Sequence, residues 1–377
     1  MRAASSHRPV SSGNGAEAPE AAVASRVDAQ REEFLPGPDG IRAGARKLET
    51  SLPDLFVVGG QQQALRPLHA GLQPWYRYRK GVVLYVRTAD ETIQTALEYV
   101  SPPEVCAPDN PPILFKQGTL VDGRLYLCTQ TEVMVYSVPE MERLHYISLP
   151  CFHDVHHVRP TPEGTLLVAN TGLDMVMEVS LEGEVLREWS VLGTDVWTRF
   201  STSVDYRLVP SMKPHQSHPN HVFYVGQDIW VTRFEQRDAI CLTDPGKRID
   251  IGLERVHDGV SADGCLYFST VDGKIVIVDE ATLKIQEVHD LNRMSAPGEL
   301  LGWCRGLHVE GARIWVGFSR LRPTRFRENI SWVVNGFRRI LPTRIACYDL
   351  ERKVCLKEID LEPYGMNAVF SLHAAGG

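Results

Sequence analysis

One short phrase recurs along this chain, and it constrains the fold more than any other feature. A small or acidic residue, then Gly, then a β-rich run appears as VDGRLYLC (121–128), PEGTLLVA (162–169), VGQDIWVT (225–232), ADGCLYFS (262–269) and VEGARIWV (309–316). The glycines are Gly123, Gly164, Gly226, Gly264 and Gly311, in steps of 41, 62, 38 and 47 residues. Each phrase reads as a tight turn between two strands, with glycine supplying a positive φ and the flanks alternating in period two. After each turn come a second, a third and an outer strand, as in GTLLVAN, MVMEVSL and EVLREWSV. A period of about 40 residues with four short strands apiece is the signature of a propeller. An amphipathic period of 3.6 is almost absent after the first 50 residues, which disfavours folds that cover a sheet with helices.

The chain ends close on each other. SLHAAGG (371–377) parallels GLHVEG (306–311), and its missing partner is available as LPDLFVVGG (52–60). GVVLYVRTAD (81–90) and TIQTALEYV (92–100) then complete a blade built from both termini, which leaves no free sheet edge. The expected fold is all-β, a six-bladed β-propeller closed by pairing of N- and C-terminal strands. Residues 1–45 are expected to form a disordered tail, rich in small residues, Pro and charge, and residues 46–377 a single propeller domain.

Composition narrows the setting. Forty Lys and Arg stand against 47 Asp and Glu, a net charge of −7, so no nucleic-acid partner is expected. No apolar run is long enough for a membrane helix, and no membrane partner is expected. The N-terminus lacks the apolar stretch of a secretory signal, and the eight cysteines form no C-x-x-C, so they read as reduced thiols of a cytoplasmic protein. No nucleotide cofactor is expected.

The inner strands of a propeller line its channel. Their starts read ILFKQGTL (113–120), CFHDVHHV (151–158), SHPNHVF (217–223), ERVHDGV (254–260), WCRGLHV (303–309) and YGMNAVF (364–370). Six of the 13 histidines fall in three of these segments. Converging imidazoles can ligate a metal through neutral nitrogens or serve as acid, base or nucleophile. The candidate catalytic residues are His153, His157, His221, His257 and Arg305. His157, His221 and His257 are the candidate ligands of one divalent metal ion, expected within reach of one another at one mouth. Insertions near 61–80, 193–217 and 321–343 should gather over that same mouth, as loops that shape binding sites do. Lys116, Gln117, Asn170, Arg233, Arg320 and Asn367 are the candidate substrate-binding residues, and a guanidinium pair there suits an anionic small-molecule substrate.

The stretch HDVHHVRPTPEGTLLVANTGLDMVMEVSLEGEVLREW (153–189) resembles a blade of the arylsulfotransferase-type propellers. That resemblance implies sulfuryl transfer through a channel histidine, His153 or His157, with Arg305 assisting. The whole chain resembles the NHL, SMP-30 and strictosidine-synthase-like group of six-bladed propellers, whose lactonases use asparagines around calcium. Asn220 and Asn367 match those asparagines. The expected function is a small-molecule-processing enzyme with a histidine-rich site at the channel mouth. The alternatives are arylsulfotransferase-like group transfer and a non-catalytic scaffold for proteins or ligands.

Overall fold

The computed structural model describes residues 52–63, 78–109, 111–320 and 339–376. The chain divides into two units, Met1–Thr50 and Ser51–Gly377, and only the second contains described residues. The expected tail and most of the insertions near 61–80 and 321–343 lie outside the described residues.

Six four-stranded antiparallel sheets form the six blades, and no α-helix occurs among the described residues. Blade 1 joins Ala368–Ala374, its inner strand, to Leu55–Gln62, Tyr78–Arg87 and Thr92–Tyr99. Gly60 pairs with Ala368 and Leu55 with Ala374, so the blade is closed by the two ends of the domain, as expected. Blades 2 to 6 follow in chain order, with inner strands Thr119–Val121, Val155–Pro160, Pro219–Val225, Val260–Ala262 and Trp303–Glu310.

Burial explains the order of strands within a blade. In blade 3, Leu166–Asn170 and Met175–Val179 are buried at every position, while the outer strand Val185–Ser190 is exposed over its first four residues. Both faces of a middle strand pack against neighbouring blades, so these strands read as continuous apolar runs. The core is therefore six inter-blade seams. Val133 and Val135 of blade 2 meet Leu166, Val168 and Met175 of blade 3, and Trp230 of blade 4 meets Phe268 and Val276 of blade 5. The hairpin turns follow the recurring phrase. Asp122 and Gly123 both have positive φ, 51° and 66°, as do Asp263 and Gly264, the geometry of a type I′ turn.

The inner strands are not regular. The register slips by one residue between Val155 and His157, between Pro219 and Val222, between Arg305 and Leu307, and where Val58 and Gly59 meet Ser371 and Val369. Each slip is a β-bulge close to the same end of the channel. A bulge turns one extra side chain out of the pleat, so it decides which residues face the channel.

Candidate functional site

Six side chains, one from each blade, form a circle at this end of the channel. They are Lys116, His156, Asn220, His257, Arg305 and Phe370. Lys116 Nζ lies 2.9 Å from His156 Nε2, and His156 Nδ1 lies 2.7 Å from Asn220 Oδ1. The His156 ring is 6.2 Å from His257, which is 6.3 Å from Phe370. Lys116 and Arg305 both sit over the Phe370 ring, at 5.5 and 4.6 Å. The hydrogen bonds fix a direction. Asn220 Nδ2 donates to the Val256 carbonyl, so its Oδ1 must accept from His156 Nδ1–H. His156 Nε2 then accepts from the Lys116 ammonium. Burial, and after it Lys116, push the His156 pKa down to about 4, so the ring is neutral.

A second tier lies against this circle. Asp154, with φ 47°, accepts from Lys116 Nζ at 2.8 Å. Burial alone would raise its carboxyl, but Lys116, then His156 and Lys213, hold it well below the usual carboxylate range. The segment after Asp205 brings three more groups. Lys213 Nζ stands 4.0 Å and His215 Nε2 3.8 Å from Asp154 Oδ2, and His218 packs edge-on against His156 with ring centroids 4.6 Å apart. One carboxylate holds this segment in place. Asp174 accepts from the backbone N–H of Gln216, Ser217 and His218 and from Arg199, at 2.9 to 3.1 Å.

The circle and its second tier hold buried polar atoms without a hydrogen-bond partner: Asp154 Oδ2, His215 Nε2, His257 Nδ1 and Arg305 Nε. Buried polar groups are ordinarily satisfied, and leaving one unpaired costs about 1–3 kcal/mol. Three cations, Lys116, Lys213 and Arg305, face one carboxylate here. Burial holds His257 and His218 well below the ordinary imidazole range, with Arg305 adding to the effect at His257 and His156 at His218. Neutral imidazoles beside fixed cations can bind an anion and accept a proton from it.

Deeper in the channel the polar groups are saturated. His157 Nδ1 accepts from Val222 N at 3.0 Å, and its Nε2 donates to Thr119 Oγ1 at 3.2 Å, which in turn donates to the Val158 carbonyl. His157 stacks on His221 with ring centroids 3.9 Å apart. Gln117 donates to Asp258 and accepts from His221 Nδ1 at 3.4 Å. Asp258 also accepts from Ser269 Oγ and from the backbone N–H of Gly306 at 3.0 Å. Burial pushes its carboxyl up to about 7 against those bonds. Gly306 has φ 76°, and a Cβ there would press on the backbone of Ser371 at 3.0 Å, so this bulge requires glycine.

The structure brings together Lys116, Asn220, His257 and Arg305 of the residues singled out from the sequence. Gln117 and His221 lie one layer below, and His157 has no free nitrogen. The trio of His157, His221 and His257 does not converge as ligands, because two of its rings stack face to face. Among the described residues no group of three or more His, Cys, Asp or Glu is arranged to hold a metal ion. His153 Nε2 lies 3.1 Å from the Val209 carbonyl, and its ring packs against Gly172. Asn170 is buried and ties His153 N to the Cys151 carbonyl. Arg233 is held by Asp238 and Arg320 by Glu362, each through two nitrogens. Asn367 Oδ1 accepts from Gln62 N in the closing blade. All eight cysteines are free. The strand-start segments hold Asp154, His156 and His218 and the insertion holds Lys213, but sequence alone left their facing open and did not single out His215 or Phe370. The doubled histidine in HDVHHV marked the place but not the facing.

Fold and site together define a six-bladed β-propeller with a polar, histidine-lined channel mouth. No family description and no curated protein matches the chain. Solved structures do. A protein of unknown function from Bacteroides caccae superposes with a TM-score of 0.55 at 14% identity, covering 85% of this chain and 98% of that one. A chain of the nidogen/laminin complex gives 0.50 at 10% identity, covering 84% and 97%. At these identities the likeness is one of fold. No helix among the described residues is long and apolar enough to cross a membrane.

Proposed function

We propose that the channel mouth is the active site of an acid–base enzyme acting on a small anionic molecule. The observation that carries this reading is the set of four unpartnered buried polar atoms, Asp154 Oδ2, His215 Nε2, His257 Nδ1 and Arg305 Nε, around one mouth. Arg305, Lys116 and Lys213 hold the anionic group. His257, neutral and with Nδ1 free, takes the proton, and the Asp154–His215 pair is the second proton carrier. Sulfuryl transfer through His157 would need a free ring nitrogen, and both of its nitrogens are bonded.

The test is a kinetic screen of the full chain against small phosphate, sulfate and carboxylate esters and lactones, with metal content measured on the same sample. His257→Gln should lower kcat by about 10²-fold or more, the usual worth of a general base. Arg305→Gln should mainly raise KM. A wild-type protein inert to the whole panel, or an activity that neither substitution changes, would return the propeller to an interaction platform.

A further inference from the structure

The far end of the channel carries a cleft that the reading above does not use. Its volume is about 430 Å³, within the range of small-ligand sites, and it lies between blades 2 and 3. Arg159 and Tyr224 line it, near the last residues of the inner strands Val155–Pro160 and Pro219–Val225. Three residues of strand separate Arg159 from His156, roughly 10 Å along the channel wall. The cleft is therefore distinct from the mouth.

Arg159 is a partly buried guanidinium lying 5.5 Å over the Tyr224 ring. It makes no hydrogen bond or ion pair with any described residue. Several other buried or partly buried arginines do meet a carboxylate, Arg207, Arg233, Arg320 and Arg344 at 2.8 Å or less and Arg255 at 3.8 Å, although Arg237 meets none among the described residues. Arg305 shares the unpaired state, and it lines the mouth. The Arg159 nitrogens reach the cleft without a protein partner, and a guanidinium fork matches a carboxylate. Arg124 adds a second cation at the rim, beside the exposed carboxylate of Asp122. The rest of the wall is mixed, with Thr119 and Thr161 beside the apolar Pro162 and Leu181. Burial also lowers the Arg159 pKa, the direction a nearby anion would reverse.

We propose that this cleft binds a small organic carboxylate with a flat apolar body. The carboxylate sits on the free fork of Arg159, and the body lies along Tyr224, Pro162 and Leu181. The Tyr224 face under the guanidinium, with Pro162 and Leu181 beside it, favours such a ligand over a bare inorganic anion, whose whole surface needs polar partners.

The test is calorimetric and NMR titration of the full chain with benzoate, its neutral analogue benzamide, and inorganic phosphate. Benzoate should saturably shift backbone resonances of residues 121–126, 159–164 and 224, while benzamide and phosphate shift those resonances far less. Arg159→Gln should weaken benzoate by about tenfold or more, the equivalent of about 1.4 kcal/mol. Arg159→Lys, which keeps the charge and the stem, should also weaken it, because the fork is lost. Lys decides the matter if the Gln variant does not fold. Arg305→Gln, at the mouth, should leave benzoate binding unchanged. Cleft resonance shifts untouched by either Arg159 substitution, cleft shifts abolished by Arg305→Gln, phosphate shifting the cleft resonances as strongly as benzoate, or no saturable shift there at millimolar concentration would each overturn the proposal.

Discussion

Two adjacent histidines, His156 and His157, have the same chemistry and opposite employment. His157 ties blade 3 to the Val222 N–H and to Thr119, and His156 joins the circle around the channel mouth. The sequence HDVHHV places an imidazole at the mouth but cannot say which one, because side chains alternate and a shift of one residue reverses them. Lys116 was legible as a site residue, but its partner was not. The pair Lys116–Asp154 is buried on both sides and bonded at 2.8 Å. Removing one member of a buried pair leaves an uncompensated charge, at a cost of about 3 kcal/mol. Lys116→Met should therefore lower the free energy of unfolding by that amount in a denaturant titration. The His156 resonance should meanwhile titrate nearer the ordinary imidazole range, since the ammonium at Nε2 is gone. A change within about 0.5 kcal/mol, the size of an ordinary surface substitution, would show that the pair does not hold the site.

The strands and turns were readable, and the bulges were not. A glycine after a small or acidic residue and a period-two run locate a hairpin because both are local, backbone-level requirements. A bulge in an inner strand is set by the neighbouring blades, as at Gly306, where Asp258 of blade 5 accepts the backbone N–H of blade 6. Single-strand patterning carries no trace of that. The insertion near 193–217 was legible as a loop over the mouth, but its fastening to Asp174 was not. Asp174→Asn keeps the shape and replaces one carboxylate oxygen with a donor, so at least one of the three N–H groups loses its acceptor. The expected loss is about 1–3 kcal/mol. Amide exchange at residues 215–218 should quicken well beyond the global change, and binding of anions at the mouth should weaken. Uniform exchange across blade 3 with the segment still protected would contradict this role.

At the scale of the whole molecule, six inter-blade seams and one closing blade make a ring whose channel is lined by neutral imidazoles. Burial first, with neighbouring charges second, pushes His156 to about 4 and His221 and His373 to about 3. The unfolded chain titrates these groups near 6.5. Their folded pKa values are depressed, so the stability they contribute is complete above pH 6.5 and is lost as pH falls below it. Each costs about 1.4 kcal/mol per pH unit in that window. Asp258 works in the opposite sense. Its carboxyl is raised to about 7, so acidification through the same window stabilises the fold and offsets one histidine. These three histidines against Asp258 give a loss of about 2 kcal/mol between pH 6 and pH 5, and His257 and His218 add to it in the same direction, so a loss of at least that size is expected from chemical unfolding at the two values. Stability flat or rising over that interval would mean that the channel histidines are charged or solvated in the folded protein.

The central claim is that the unpartnered groups at the mouth are there to meet a small anion. It is tested most directly by titrating sulfate into the protein while following the imidazole nitrogens by NMR. Saturable shifts should appear at His257 and His215, and Arg305→Gln should abolish them while the fold remains intact. Sulfate that leaves both imidazoles unmoved, or shifts that persist without Arg305, would contradict the account.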